Sequence, residues 1–136
     1  MTESVHVDQF IARPRAVVWE AISTPEGIAR WWGAAAIKPE VGHRFTVDLG
    51  PWGQRPCRVL EADPPETLVY TLDEGGMNWT LTWRLLEEGS GTRLFLEHAG
   101  FDLSDPQHRF AYGNMGAGWR TTVLPRLAEV LAPTAR

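Results

Sequence analysis

The chain has 136 residues, 43% of them hydrophobic and 22% charged, with a net charge of -4 and a pI near 5.5. That length allows one domain, read as residues 1–136, with a core of its own, and an acidic balance without any basic run excludes nucleic acid as the main partner. The lone Cys57 excludes an intramolecular disulfide and fits a reducing, cytoplasmic setting, and Met1-Thr2-Glu3-Ser4 has neither the basic start nor the apolar stretch of a secretory signal.

Val5, Val7, Gln9 and Ile11 alternate with His6, Asp8 and Phe10, which predicts a first strand over about 4–11. Arg13-Pro14 closes it, and Ala16, Val17, Trp19, Glu20, Ala21 and Ile22 form a short first helix. Thr24 as N-cap and Pro25 at the first helical position open a second, which ends near Trp31-Trp32-Gly33. A meander follows. His43, Phe45, Val47 and Leu49 alternate as a strand, and Gly50-Pro51-Trp52-Gly53 reads as a turn. In the next strand Cys57, Val59 and Glu61 share one face and Arg58, Leu60 and Ala62 the other, until Asp63-Pro64-Pro65 stops it. Leu68, Tyr70 and Leu72 follow, then a turn at Glu74-Gly75-Gly76. Met77, Trp79, Leu81, Trp83 and Leu85 alternate with Asn78, Thr80, Thr82 and Arg84 in the cleanest strand of the chain. After Glu88-Gly89-Ser90-Gly91, a last strand puts Leu94, Leu96 and His98 on one face. Phe101 to Gly113 reads as a link with a helical turn after Asp105-Pro106.

The chain then closes on a helix from Asn114 to Leu131. Met115, Trp119, Val123, Leu127, Val130 and Leu131 recur at steps of four and three, with Arg120, Thr121, Arg126 and Glu129 opposite. At 1.5 Å per residue such a helix spans about 27 Å, enough to cross a small sheet but too short and too charged to cross a membrane. Pro125 cannot donate to the Thr121 carbonyl, so a kink or two segments is expected. Gly116 and Gly118 each cost about 1 kcal/mol in a helix; they read as a frayed first turn or as a place where something approaches the backbone.

Strands joined by short turns make an antiparallel sheet, and only the last helix is large enough to cover its concave face. The fold class is α+β: a curved antiparallel sheet of about six strands around a long C-terminal helix, with two short helices after the first strand. With Pro14-Arg15-Ala16-Val17-Val18-Trp19, Thr24-Pro25-Glu26 and Trp31-Trp32-Gly33, this order resembles the START-like helix-grip superfamily, also called SRPBCC or polyketide-cyclase/dehydrase-like. Glu61-Ala62-Asp63-Pro64-Pro65, Leu68-Val69-Tyr70-Thr71, Glu97-His98-Ala99-Gly100-Phe101 and Gly116-Ala117-Gly118-Trp119 resemble the branch related to the activator of the heat-shock-protein-90 ATPase. The resemblance implies a cavity between sheet and last helix. Such proteins bind lipids or polyketides, cyclise polyketides, or assist a chaperone.

Seven of the aromatic residues are tryptophan, against five Phe and two Tyr. Trp31, Trp32, Phe45, Tyr70, Trp79, Trp83, His98, Met115 and Trp119 are the candidate ligand-binding residues, either as the wall of an apolar pocket or as a core filled by rings. His98 interrupts an apolar strand face, as a candidate acid/base and ligand anchor or as a neutral core histidine with one hydrogen bond. Glu61 is either an inward carboxylate beside it or a solvated rim group. The four histidines are too scattered for a metal site, no glycine pattern marks a dinucleotide cofactor, and no serine sits in a nucleophile elbow, so no metal, cofactor or covalent chemistry is expected. The sequence thus predicts a binder of a small hydrophobic or aromatic ligand, without membrane insertion. The alternatives are a cyclase-like enzyme using His98 and a partner of a chaperone.

Overall fold

The computed structural model describes residues 2–133; Met1 and residues 134–136, the two ends of the expected domain, lie outside the described residues. β1 (Glu3–Ile11) is followed by α1 (Arg15–Ser23) and α2 (Pro25–Ile28). Then come β2 (Arg44–Asp48), β3 (Gln54–Asp63), β4 (Thr67–Leu72), β5 (Trp79–Glu88) and β6 (Gly91–Phe101), and a helical run from Pro106 to Val130 closes the chain. The six strands form one antiparallel sheet in the order β1-β6-β5-β4-β3-β2. β2 to β6 are a meander, and β1 returns to the free edge of β6. The long helix packs on the concave side against β1 and β6, which is the expected helix-grip arrangement.

Alternation sets which side chains enter the core. Val5, Val7 and Ile11 of β1, Leu68, Tyr70 and Leu72 of β4, Leu81, Trp83 and Leu85 of β5 and Leu94 and Leu96 of β6 are all buried. β3 breaks the rule. Val59 pairs with Tyr70 but Glu61 pairs with Val69, so Leu60 is an extra residue in a β-bulge. Beyond it the faces exchange: Ala62 packs on the core and Glu61 is exposed. The strict alternation that grouped Glu61 with Cys57 and Val59 fails at that residue, and Glu61 stands in solvent.

Thr24 caps α2 as its sequence implies, its hydroxyl accepting from the Gly27 N–H at 3.0 Å. α2 ends at Ile28, earlier than expected, and both tryptophans follow it in turns. Trp31 is buried and donates from Nε1 to the Ala21 carbonyl at 2.8 Å, tying this segment to α1. Gly33 runs against β2 so closely that a Cβ there would lie 2.2 Å from the Asp48 carbonyl oxygen.

The covering helix starts at Pro106, not Asn114. Asp105 is its N-cap, its carboxylate accepting from the Gln107 N–H at 2.8 Å. The run has three parts: α3 (Pro106–Gly118), a π-helical segment (Trp119–Val123) and α4 (Leu124–Val130). The Leu124 N–H reaches back to the Trp119 carbonyl, the five-residue step of a π-bulge. This is how the chain accommodates Pro125: it continues in a new phase, with the fully buried positions stepping from Trp119 to Leu124 and then Leu127.

Candidate functional site

Between α3, the π segment and one end of the sheet lies a cleft of about 1160 Å³. Two turns and a helix face build its sides. One lip is the turn after β2, where Gly50–Trp52 forms a short 3-10 helix that begins on one glycine at positive φ, Gly50 at 64°, and is closed by another, Gly53 at 80°. The Asp48 carboxylate accepts from the Gly50 N–H at 2.9 Å, and Trp52 stands 63% exposed at the edge. The second lip is the turn between β4 and β5, organised by the buried Asp73. Its carboxylate accepts from the Met77 N–H at 2.9 Å, and its backbone carbonyl accepts from the Gly76 and Asn78 N–H groups, each at 3.0 Å. Arg55 faces Asp73 at 3.5 Å. The third side is α3, with Phe110, Ala111, Asn114, Met115 and Gly118 towards the cleft. A side chain at Gly116 would touch Val5 at 3.4 Å, whereas one at Gly118 would meet open space.

Of the nominated residues, Trp32, Trp79, Met115 and Trp119 line the cleft. Trp31, Phe45, Tyr70, Trp83 and His98 stand in the packed layer behind it. Rings join the two sets: Trp32 lies 5.2 Å from Trp119, Trp119 is edge-on to Trp83 at 5.7 Å, and Trp83 is edge-on to Trp31 at 5.6 Å. Trp83 donates from Nε1 to the Tyr70 hydroxyl at 3.1 Å, and burial holds that phenol far above its ordinary pKa. Trp52, which alternation could not assign to a face, makes a fourth tryptophan on the cleft.

His98 is fully buried and accepts at Nδ1 from the Trp119 indole N–H at 3.0 Å. An indole nitrogen only donates, so Nδ1 carries the lone pair and Nε2 the proton. Burial lowers its pKa from 6.5 to about 3, so the ring is neutral near pH 7. It has no free lone pair with which to take a proton. Cys57 is equally unsuited to nucleophilic chemistry, its thiol pushed up to about 12 by burial. His108, which looked like an isolated histidine in the sequence, lines the cleft. Its Nδ1 accepts from the Asp102 N–H at 3.1 Å, and its ring lies edge-on 5.9 Å from Trp79. The signal that could have found it was the Asp105-Pro106 helix start three residues earlier.

Among the described residues no helix is long and apolar enough to cross a membrane, and no three His, Cys, Asp or Glu side chains group as metal ligands.

The family model described as Activator of Hsp90 ATPase homolog 1-like protein matches residues 12–132. Among solved structures, protein MLL2253 from Mesorhizobium loti is 32% identical, covers 95% of this chain and 93% of its own, and superposes with a TM-score of 0.78. Protein BH1534 from Bacillus halodurans is 30% identical over 96% of this chain and 99% of its own, with a TM-score of 0.82. CalU16 from Micromonospora echinospora is 28% identical over 97% of this chain and 78% of its own, with a TM-score of 0.78. None of the curated proteins matches the chain in sequence.

Proposed function

The chain belongs to the Activator of Hsp90 ATPase homolog 1-like family, within the START-like helix-grip superfamily, and from that premise we propose that it binds a small aromatic or otherwise apolar molecule in the cleft between sheet and covering helix. Family and fold support a ligand-binding or cyclase-like role in general terms. The observation that carries the finer reading is the cleft itself. Its volume of about 1160 Å³ is just above the roughly 300–1,000 Å³ of small-molecule sites, and four tryptophans line it beside leucines and methionines. Binding is favoured over proton transfer because His98 is neutral, buried and already engaged at Nδ1. A reducing, cytoplasmic setting goes with the buried free Cys57.

Titration of indole fluorescence with a panel of flat hydrophobic compounds tests this reading. Saturable quenching is expected, and Trp119→Ala should weaken it through lost contact. No saturable response to any compound would overturn the cleft as a ligand site.

A chaperone partner is the second reading, and the outer sheet face favours it. Phe10 of β1 and Leu86 of β5 flank Arg93 of β6, with Phe95 on the same face, and all three apolar side chains are exposed. Calorimetry with a heat-shock-protein-90 chaperone, wild type against Leu86→Asp, checks it; no heat of binding with the wild type removes it.

A further inference from the structure

The charge of the cleft is one-sided. Asp48, Asp73 and Asp105 line it together with Arg55, and three carboxylates against one guanidinium leave a formal excess of two negative charges. Arg55 is not free to answer a ligand: its Nε donates to the Trp52 carbonyl at 2.8 Å, and its Nη1 lies 3.5 Å from Asp73. Asp73 is thereby answered from within the protein, and it is buried. Asp48 and Asp105 are not. Each accepts one backbone N–H on Oδ1, from Gly50 at 2.9 Å and from Gln107 at 2.8 Å, and neither forms a salt bridge among the described residues. They stand on different sides of the cleft, one on the lip after β2 and one at the start of α3, and among the described residues no three such groups come together as a metal site. What they supply is a field over an apolar space, not a chelate. A helix N-terminus alone favours an anion, but Asp105 fills that place at α3 with its own carboxylate.

Indole surface meets this field. Trp52 is 63% exposed and Trp32 is half-buried, and both line the cleft. The face of an indole ring carries negative charge and attracts a cation more strongly than that of Tyr or Phe. The cation–π pair found among the described residues, Arg93 over Phe10, lies on the outer sheet face and takes up none of these rings. Resting on the reading of the cleft as a ligand site, we propose that its ligand is a monovalent organic cation: an ammonium group, primary to quaternary, carried on a flat ring or a short apolar chain. The apolar part packs against Met115 and Trp119, where Gly118 leaves the space open. The ammonium lies towards the mouth, where Trp52 and the Asp48 carboxylate share one lip and Asp105 adds its charge from another side. A carboxylate or phosphate ligand would meet the same field with the wrong sign and would find Arg55 already engaged.

The test uses the full chain labelled with nitrogen-15 and three soluble probes of similar size at neutral pH. 2-Phenylethylammonium, 2-phenylethanol and 3-phenylpropanoate present a cation, a neutral group and an anion on one phenyl ring, and binding is followed by the amide and indole signals. The ammonium should bind about fivefold tighter than the alcohol or more, with the propanoate weakest. Raising salt from about 20 to about 200 mM should narrow the gap. Asp48→Asn and Asp105→Asn remove charge but keep an oxygen that can accept from the Gly50 and Gln107 N–H groups, and asparagine caps a helix as well as aspartate does. The double variant should bind the ammonium about threefold more weakly or worse and the alcohol as before. Equal affinity for the three probes, a propanoate that binds tightest, or a double variant that weakens ammonium and alcohol alike overturns the cation inference and leaves the cleft as a ligand site. If none of the probes moves signals within 48–55, 72–79 or 105–123, the cleft reading and this inference fall together. Should the double variant fail to fold, the wild-type ranking and its salt dependence decide.

Discussion

His98 keeps its proton on Nε2 because Trp119 occupies Nδ1, and this makes the fold sensitive to acid. Its pKa is about 3 in the folded chain against an ordinary 6.5. As pH falls, the unfolded chain takes up the proton first. The stability from this residue is therefore complete above about pH 6.5 and is lost on the way down towards 3, at up to about 1.4 kcal/mol per pH unit. Urea unfolding at about pH 7 and about pH 5 should show that slope in the wild type, and His98→Gln, whose amide can still accept from Trp119, should lack the part due to the imidazole. Gly118 gives the opposite kind of prediction. Its backbone is ordinary helix, with φ of -60°, and a side chain there meets nothing within 4 Å. Gly118→Ala should stabilise by about 0.5–1 kcal/mol in thermal unfolding. Gly118→Leu should remain folded yet occupy the cleft and abolish ligand-induced quenching. Alternation alone placed His98 indoors, but its partner lies 21 positions away on another element, a distance that no local period spans. For Glu61 the solvated alternative holds, but alternation gave it the wrong face: one extra residue at Leu60 exchanges the faces, and nothing in the composition of β3 announces it.

Among the elements, the strands were legible because each has one wet and one dry face. The covering helix was legible only in its second half. Most of residues 106–114 face solvent and the cleft, with only Ala111 and Tyr112 packed against the core, so the helical period fades there although Asp105 and Pro106 mark the start. Val123 was expected to follow Trp119 on the buried stripe, but the π segment hands that place to Leu124. The cleft lips differ physically from the strands. The Gly50–Trp52 turn is held by a few local hydrogen bonds and its residues are not buried, whereas β5 is paired on both sides. Amide hydrogen exchange should therefore be fast at 50–53 and slowest in the interior of 79–88. Equal protection in both would mean that the lip does not open. Ligand should slow exchange at the lip more than in β5.

On the scale of the whole molecule, the packed core and the cleft occupy adjacent layers, and the two can be perturbed separately. Trp52 and Phe110 are 63% and 64% exposed at the cleft edge. Their replacement by alanine should change stability by no more than about 0.5 kcal/mol while weakening ligand binding. Trp83, fully buried behind the wall, should cost about 3–5 kcal/mol as Trp83→Ala in denaturant unfolding. The sequence could not separate these layers. A ring facing a cavity and a ring facing another ring have the same period, and both lips come from turns, which have none. The five-residue step from Trp119 to Leu124 has a consequence for how such a chain can change over time. Each residue of a regular helix turns it by about 100°, so the π segment keeps the two halves of the covering helix out of register with each other. Deleting one residue within 119–123 would let the run close as plain α-helix. The half anchored by Leu124, Leu127 and Leu131 would stay docked, and the half bearing Phe110, Met115 and Gly118 would swing away from the sheet. Point substitutions can thus reshape this cleft by degrees, whereas loss of a single codon would erase it in one step and leave its scaffold standing.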